Sequence, residues 1–182
     1  MVQIQPADLI LLRVGPGSTI LDRAIGICQQ WIGEAPPFTQ EFCHAAIIGP
    51  VWTEALASQY PNLTIDIGAN TIIEARWPKV KIGQLDLPDL LTRNPVDFYR
   101  INGITPAQAS KIIEYAQDDI GDWYDLAGIF TLGYIQLGHA LVCSQYVWKW
   151  ALNGAGIELC PYSALISPDD LAGSKITTHL TI

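Results

Sequence analysis

The residues best able to do chemistry in this chain are a cysteine, a histidine and a glutamate, widely separated in sequence. Cys143 lies in LVCSQYVWKW (141–150), where Cys143, Tyr146, Val147 and Trp150 recur at three- and four-residue spacing and so share one face of a helix. The pattern puts Cys143 near the helix start, just past Gly138 and His139. A thiol there meets unpaired backbone N–H groups and the positive end of the helix dipole. Both favour the thiolate, which is the nucleophilic form. The same position also suits a small buried residue on an apolar helix face, because free cysteine is among the most buried residue types.

A cysteine nucleophile needs a base, and the chain has three histidines. His44 falls in FCHAAIIG (42–49), a run of small and apolar residues that reads as a strand. A strand fixes the direction of its side chains, which suits a group that takes a thiol proton and returns it to a leaving group. A buried neutral histidine bonded to a backbone carbonyl is the alternative. His139 falls in a lead-in loop if Gly138 breaks the helix, and His179 sits in a C-terminal strand with only threonines as polar neighbours. Glu74, in TIIEARWPKV (71–80), would accept the ring N–H of His44 from a neighbouring strand and fix its tautomer. An exposed edge-strand glutamate is the other reading. Strict alternation groups Phe42, His44, Ala46 and Ile48 on one face and turns Cys43 to the other, which disfavours a Cys43–His44 dyad or a shared metal. The four cysteines (Cys28, Cys43, Cys143, Cys160) form no CxxC pair, so no zinc site is expected.

The elements that must position these residues follow from local patterning. ADLILLR, ending at Arg13, reads as a strand, and Ser18 caps a predicted helix from Thr19 to about Trp31. Val51 to Asn62 reads as an insertion with a short helix. Thr64–Ile67 and Thr71–Arg76 read as strands around a turn at Gly68–Asn70, and a further strand over Lys79–Ile82 follows Trp77–Pro78. Asp86–Leu91 is a helical turn, and VDFYRING from Val96 is a strand ending at Gly103. Thr105–Pro106 starts a helix that runs to about Asp118, with proline where a missing N–H costs nothing. GDWYD (121–125) breaks it, and a second apolar helix follows. The Cys143 helix ends near Asn153–Gly154, and the tail, ISPDDLAGS and then KITTHLTI, reads as a short capped helix and a last strand. Strands with flanking helices in this order predict an α+β fold with a mainly antiparallel sheet.

A chain of 182 residues with 49% hydrophobic and 15% charged residues is globular and predicts a single domain over 1–182. A formal net charge of -8 argues against nucleic acid. The N-terminus lacks the basic opening of a signal peptide, so a reducing cytoplasm is the expected setting. The apolar run Leu126–Val142 contains Gln136 and His139 and is too short for a membrane span.

The order ADLILLR, HAAIIG, TIIEARWPKV, VDFYRI, GDWYD, LVCSQYVWKWA, ISPDDL resembles the circularly permuted branch of the NlpC-type papain-like cysteine hydrolases, in which the histidine strand precedes the cysteine helix. The resemblance spans Asp8 to about Leu171. It implies a permuted papain-like fold, with Cys143 as nucleophile, His44 as base and Glu74 as orienting residue. It also implies Tyr124 near the cleft and a structural Asp8. The function expected from it is hydrolysis of an amide or ester bond through an acyl-enzyme, peptidase- or amidase-like, on a small-molecule, peptide or lipid-like substrate, with no metal or organic cofactor. A non-catalytic binding module on the same fold and a lipid acyltransferase are the alternatives. Trp77, Trp123 and Tyr124 either line an apolar or sugar-stacking cleft or pack in the core.

Overall fold

A computed structural model of the protein describes residues 3–13, 15, 42–93, 95–127, 141–161 and 166–181. The predicted Thr19–Trp31 helix, Cys28, His139 and most of the Leu126–Val142 run lie outside these residues.

Among the described residues, six strands form one antiparallel sheet: β1 (Leu9–Arg13), β2 (Phe42–Ile48), β3 (Thr71–Arg76), β4 (Lys79–Gln84), β5 (Val96–Ile101) and β6 (Thr177–Leu180). Their order across the sheet is β4-β3-β2-β1-β5-β6. Both β1 and β2 are interior, and all but Arg13 of their residues are buried, which is why they read as continuous apolar runs instead of alternating ones. The helices are α1 (Glu54–Gln59), α2 (Leu87–Arg93), α3 (Pro106–Asp118), α4 (Cys143–Ala155) and α5 (Pro168–Ala172). The fold is α+β, as the patterning predicts.

Two expectations about strands need correction. Thr64–Ile67 forms no strand. Its β-prone residues belong to a loop tied down by Trp52, whose N–H donates to the Ala69 carbonyl and whose carbonyl accepts from Gly68. The second concerns alternation in β2. Leu12 pairs with His44, but Arg13 pairs with Phe42, so Cys43 is an extra residue in a β-bulge. The bulge turns Phe42 into the same core as Ala45 and Ile47, while Ala46 and Ile48 join the opposite face with Ile10 and Phe98. Phe42 therefore does not share a face with Ala46 and Ile48.

The larger core lies between the sheet and the pair α3 and α4. Tyr146, Val147 and Trp150 of α4 are all buried, each worth about 1.5–3 kcal/mol relative to exposure. Asp119, just past α3, accepts from Lys149 Nζ at 2.9 Å and Trp150 Nε1 at 2.7 Å. The chain leaves α4 through Gly156 at φ 69°, a left-handed cap that glycine adopts without strain. α3 begins with a capping box between Thr105 and Gln108 ahead of Pro106.

The two helices touch through a missing side chain. A Cβ on Gly154 would lie 2.6 Å from Ile112 Cα and 2.7 Å from Ile112 N. Gly154→Ala should thus push α4 off α3 and cost about 1–3 kcal/mol, read as a lower midpoint of urea unfolding. An unchanged midpoint would show that the contact is looser than described.

Candidate active site

The start of α4 is built to hold negative charge. Val142 stands at the N-cap position, where a serine or aspartate side chain would normally take a first-turn N–H, and it makes no side-chain cap. Gln145 Oε1 accepts the Val142 N–H at 3.0 Å. The helix start also carries the positive end of the α4 dipole, which suits a thiolate or an oxyanion. Ser144 Oγ donates to the Ile166 carbonyl and pins the helix start to the segment before α5.

This helix end meets the sheet where β2 and β3 part. Their ladder covers only Ala46–Ile48 against Glu74–Ile72. At Ala45 no pair with β3 forms, and the Ala45 backbone hydrogen-bonds Cys143 instead. A methyl side chain at 45 lets the helix end come this close. His44 sits beside it, hydrogen-bonded to Cys143 on one side and, through Nε2, to Glu74 Oε2 at 2.8 Å on the other. With Nε2 given to the carboxylate, Nδ1 is the nitrogen left for the sulfur. Tyr124 adds a side-chain hydrogen bond to Cys143. It is carried there by the strip 121–124, which joins the outer edge of β4 through Val80 N–H to the Asp122 carbonyl and Tyr124 N–H to the Pro78 carbonyl.

All three expected residues are buried, Cys143 to 1%, His44 to 2% and Glu74 to 8% exposure. Burial alone would push the thiol up. The facing His44 imidazole outweighs it, with help from the Ala45 backbone and Tyr124, and the thiol is held below its ordinary value. Burial likewise pushes His44 down, but Cys143 and Glu74 on either side raise it. Glu74 is pushed up by burial, yet His44, Lys81 and Arg76 bring it down to about 2. The directions are those of a thiolate–imidazolium pair backed by a carboxylate. Cys160 shows the opposite: burial, with Asp170 and Glu158, pushes it up to about 11. Cys43 Sγ donates to the Leu12 carbonyl, away from this group. Two surface cavities of about 580 and 360 Å³ lie elsewhere, around Cys160 and around Asp8.

The remaining expectations divide. Tyr124 is buried against Cys143. Trp77 and Trp123 are 56% and 64% exposed, so neither packs in the core. Trp123 carries Lys79 Nζ 4.7 Å over its ring, and Trp77 sits in the β3–β4 turn outside the group that meets at Cys143. Asp8 takes Arg100 through both oxygens at 2.7–2.8 Å, far from the thiol. His179 pairs with Asp97 at 3.0 Å. Sequence reasoning missed Lys81, whose Nζ lies 3.0 Å from Glu74 Oε1. The signal was there: a turn at Trp77–Pro78 sets Arg76 opposite Lys79 and therefore Glu74 opposite Lys81.

Glu74 makes stability depend on acidity. Its folded pKa lies below the unfolded value of 4.5, so its contribution is present above pH 4.5 and lost as pH falls towards 2. About 3 kcal/mol should disappear over that window by linkage. Urea unfolding followed from pH 6 to 2 should show this loss in the wild type and a flatter profile in Glu74→Gln. Parallel profiles would contradict the buried pairing.

No family model and no curated protein matches the sequence. Among solved structures the chain is similar to the crystal structure of metalloprotein yiiX, DUF1105, from Escherichia coli O157:H7, at 15% identity, over 99% of this chain and 98% of that one, with a TM-score of 0.66. At that identity the likeness extends to the fold. It does not point to the NlpC-type family, and the resemblance drawn from the sequence motifs is corrected on this ground.

Proposed function

We propose that the chain is a thiol-dependent hydrolase of amide or ester bonds. The observation that carries this reading is the continuous chain of hydrogen bonds from Cys143 through His44 to Glu74. Cys143 as thiolate adds to the acyl carbonyl carbon, and the backbone N–H of Cys143 at the helix start donates to the oxyanion, a donor worth about 3 kcal/mol. His44 gives its Nδ1 proton to the leaving amine or alcohol as the C–N or C–O bond breaks, leaving an acyl-thioester on Cys143. A water molecule then loses a proton to His44 and attacks the thioester. The C–S bond breaks, Cys143 leaves as thiolate beside the His44 imidazolium formed by the water proton, and the acid departs. Glu74 keeps Nε2 protonated throughout and stabilises the cation. Tyr124, bonded to the sulfur, would meet the acyl group as it arrives.

The yiiX structure is described as a metalloprotein. Among the described residues of this chain, no group of three or more His, Cys, Asp or Glu side chains is arranged to hold a metal ion. Among the described residues, the candidates at the site are hydrogen-bonded to one another, with Nε2 of His44 taken by Glu74. The residues do not fit a metal there, and no step is routed through one.

The near-complete burial of Cys143 and His44 favours a second reading, a binding module on the same fold that does not turn over. A lipid acyltransferase would need an exposed apolar surface over 126–142, and most of that run lies outside the described residues. Among the described residues no helix is long and apolar enough to cross a membrane.

An acyl-electrophile probe at pH 7, mapped by peptide mass spectrometry, separates these. The hydrolase should label at Cys143, lose the label in Cys143→Ala, and keep it in Cys43→Ala and Cys160→Ala. His44→Ala should label about 10²–10⁴-fold more slowly. Equal labelling in Cys143→Ala would falsify the nucleophile. Absence of any label on the wild type would favour the binding module.

A further inference from the structure

Glu74 is usually asked to do one thing in such a site, to face the histidine. Here it faces two partners. Oε2 accepts from His44 Nε2 at 2.8 Å, and Oε1 lies 3.0 Å from Lys81 Nζ. Glu74 and Lys81 are directly opposed in the β3–β4 register, so the pairing is set by the hairpin and not by a chance reach of long side chains. The Lys81 side chain is 56% exposed and that of Glu74 10%. The ammonium therefore stays in water while it grips a carboxylate that does not.

We propose that Lys81 is a positioning residue of the site: by holding Oε1 it fixes the carboxylate in the orientation that delivers Oε2 to His44. This rests on the hydrolase reading above. The physical need is specific. The terminal torsion of glutamate is broad and roughly two-fold, so one hydrogen bond leaves the carboxylate free to rotate. A second partner at the other oxygen removes that freedom. Arg76 also influences Glu74, from the same strand.

Charge and orientation act in opposite directions, which makes the role testable. Glu74 from β3 and Cys143 from α4 face the His44 imidazole; Lys81 from β4 and Arg76 from β3 act on Glu74, and Tyr124 from the strip beside β4 bonds Cys143. As a bare cation, Lys81 disfavours the imidazolium. Removing it would strengthen the thiolate–imidazolium pair and move thiolate formation to lower pH. As an orienting group, Lys81 supports the imidazolium through Glu74. Removing it would weaken the pair and move thiolate formation to higher pH.

The experiment is the pH dependence of Cys143 alkylation by iodoacetamide in the full chain, for the wild type, Lys81→Met and Lys81→Arg, with Cys143→Ala as background. We expect the Lys81→Met midpoint to rise by about one pH unit, with about tenfold slower alkylation below the wild-type midpoint. Lys81→Arg, which keeps the charge and the donors, should restore most of the wild-type profile. A wild-type midpoint well below that of an ordinary thiol, with Lys81→Met unchanged or shifted downward, overturns the positioning role and leaves the triad standing. A wild-type midpoint at the ordinary thiol value removes the triad reading, and the role of Lys81 with it.

Discussion

A carboxylate set almost out of water is the constraint on which this arrangement depends. Glu74 sits on the second strand of the sheet with its side chain 10% exposed. An unpaired charge there would cost several kcal/mol, and removing one partner of such a pair typically costs about 3–5 kcal/mol. The cost is offset by one strand on either side: His44 from β2 at one oxygen, Lys81 from β4 at the other. Both partnerships depend on register. A slip of one residue in either ladder would turn a partner to the opposite face. The sheet must therefore pair correctly on both sides of β3 for the acid to remain ionised, and the imidazole inherits its orientation from that agreement.

Seen as charges, the ion-paired form of the site alternates: ammonium, carboxylate, imidazolium, thiolate. The sum is zero, so a group of four ionised side chains presents little net field to the apolar core around it. The far end of this line is closed by backbone. The Ala45 hydrogen bond and the start of α4 face the sulfur, and α4 itself is locked to α3 by Asp119 and by the Gly154–Ile112 contact. The nucleophile is thus carried by one rigid layer and its base by another. In the first turn of α4, Ser144 ties the helix to the segment before α5, and Gln145 Oε1 accepts the Val142 N–H.

Much of this was legible in the residues. Thr105–Pro106 marked the start of α3 to the residue, because capping chemistry is local. The spacing of Cys143, Tyr146, Val147 and Trp150 gave the buried face of α4 and put the thiol at its first turn. His44 and Glu74 were recognisable as strand residues of unusual type. What escaped depended on relations between strands. The bulge at Cys43 breaks the period of two and cannot be read from a strand on its own. Thr64–Ile67 has β-prone composition but lies in a loop, where the Asp66 N–H is taken by the Gln84 side chain and Trp52 bonds the adjoining Gly68 and Ala69. Trp77, Trp123 and Tyr124 look alike as aromatics, yet the first two face water and the third lies against the sulfur. Lys81 needed a pairing register, not a motif. The family suggested by motif order was not upheld, since a succession of short strings constrains topology more than descent.

The bulge in β2 has a consequence for how the protein trades order against capability. An ideal strand through 42–48 would extend its ladder with β3 past Ala46 and satisfy the amide of Ala45 in the ordinary way. The surplus residue Cys43 bends the strand off that course. The gap so made is the berth in which the helix end rests and where an amide is left over for a sulfur. A smoother sheet here would be a sturdier object with nowhere to put the reaction.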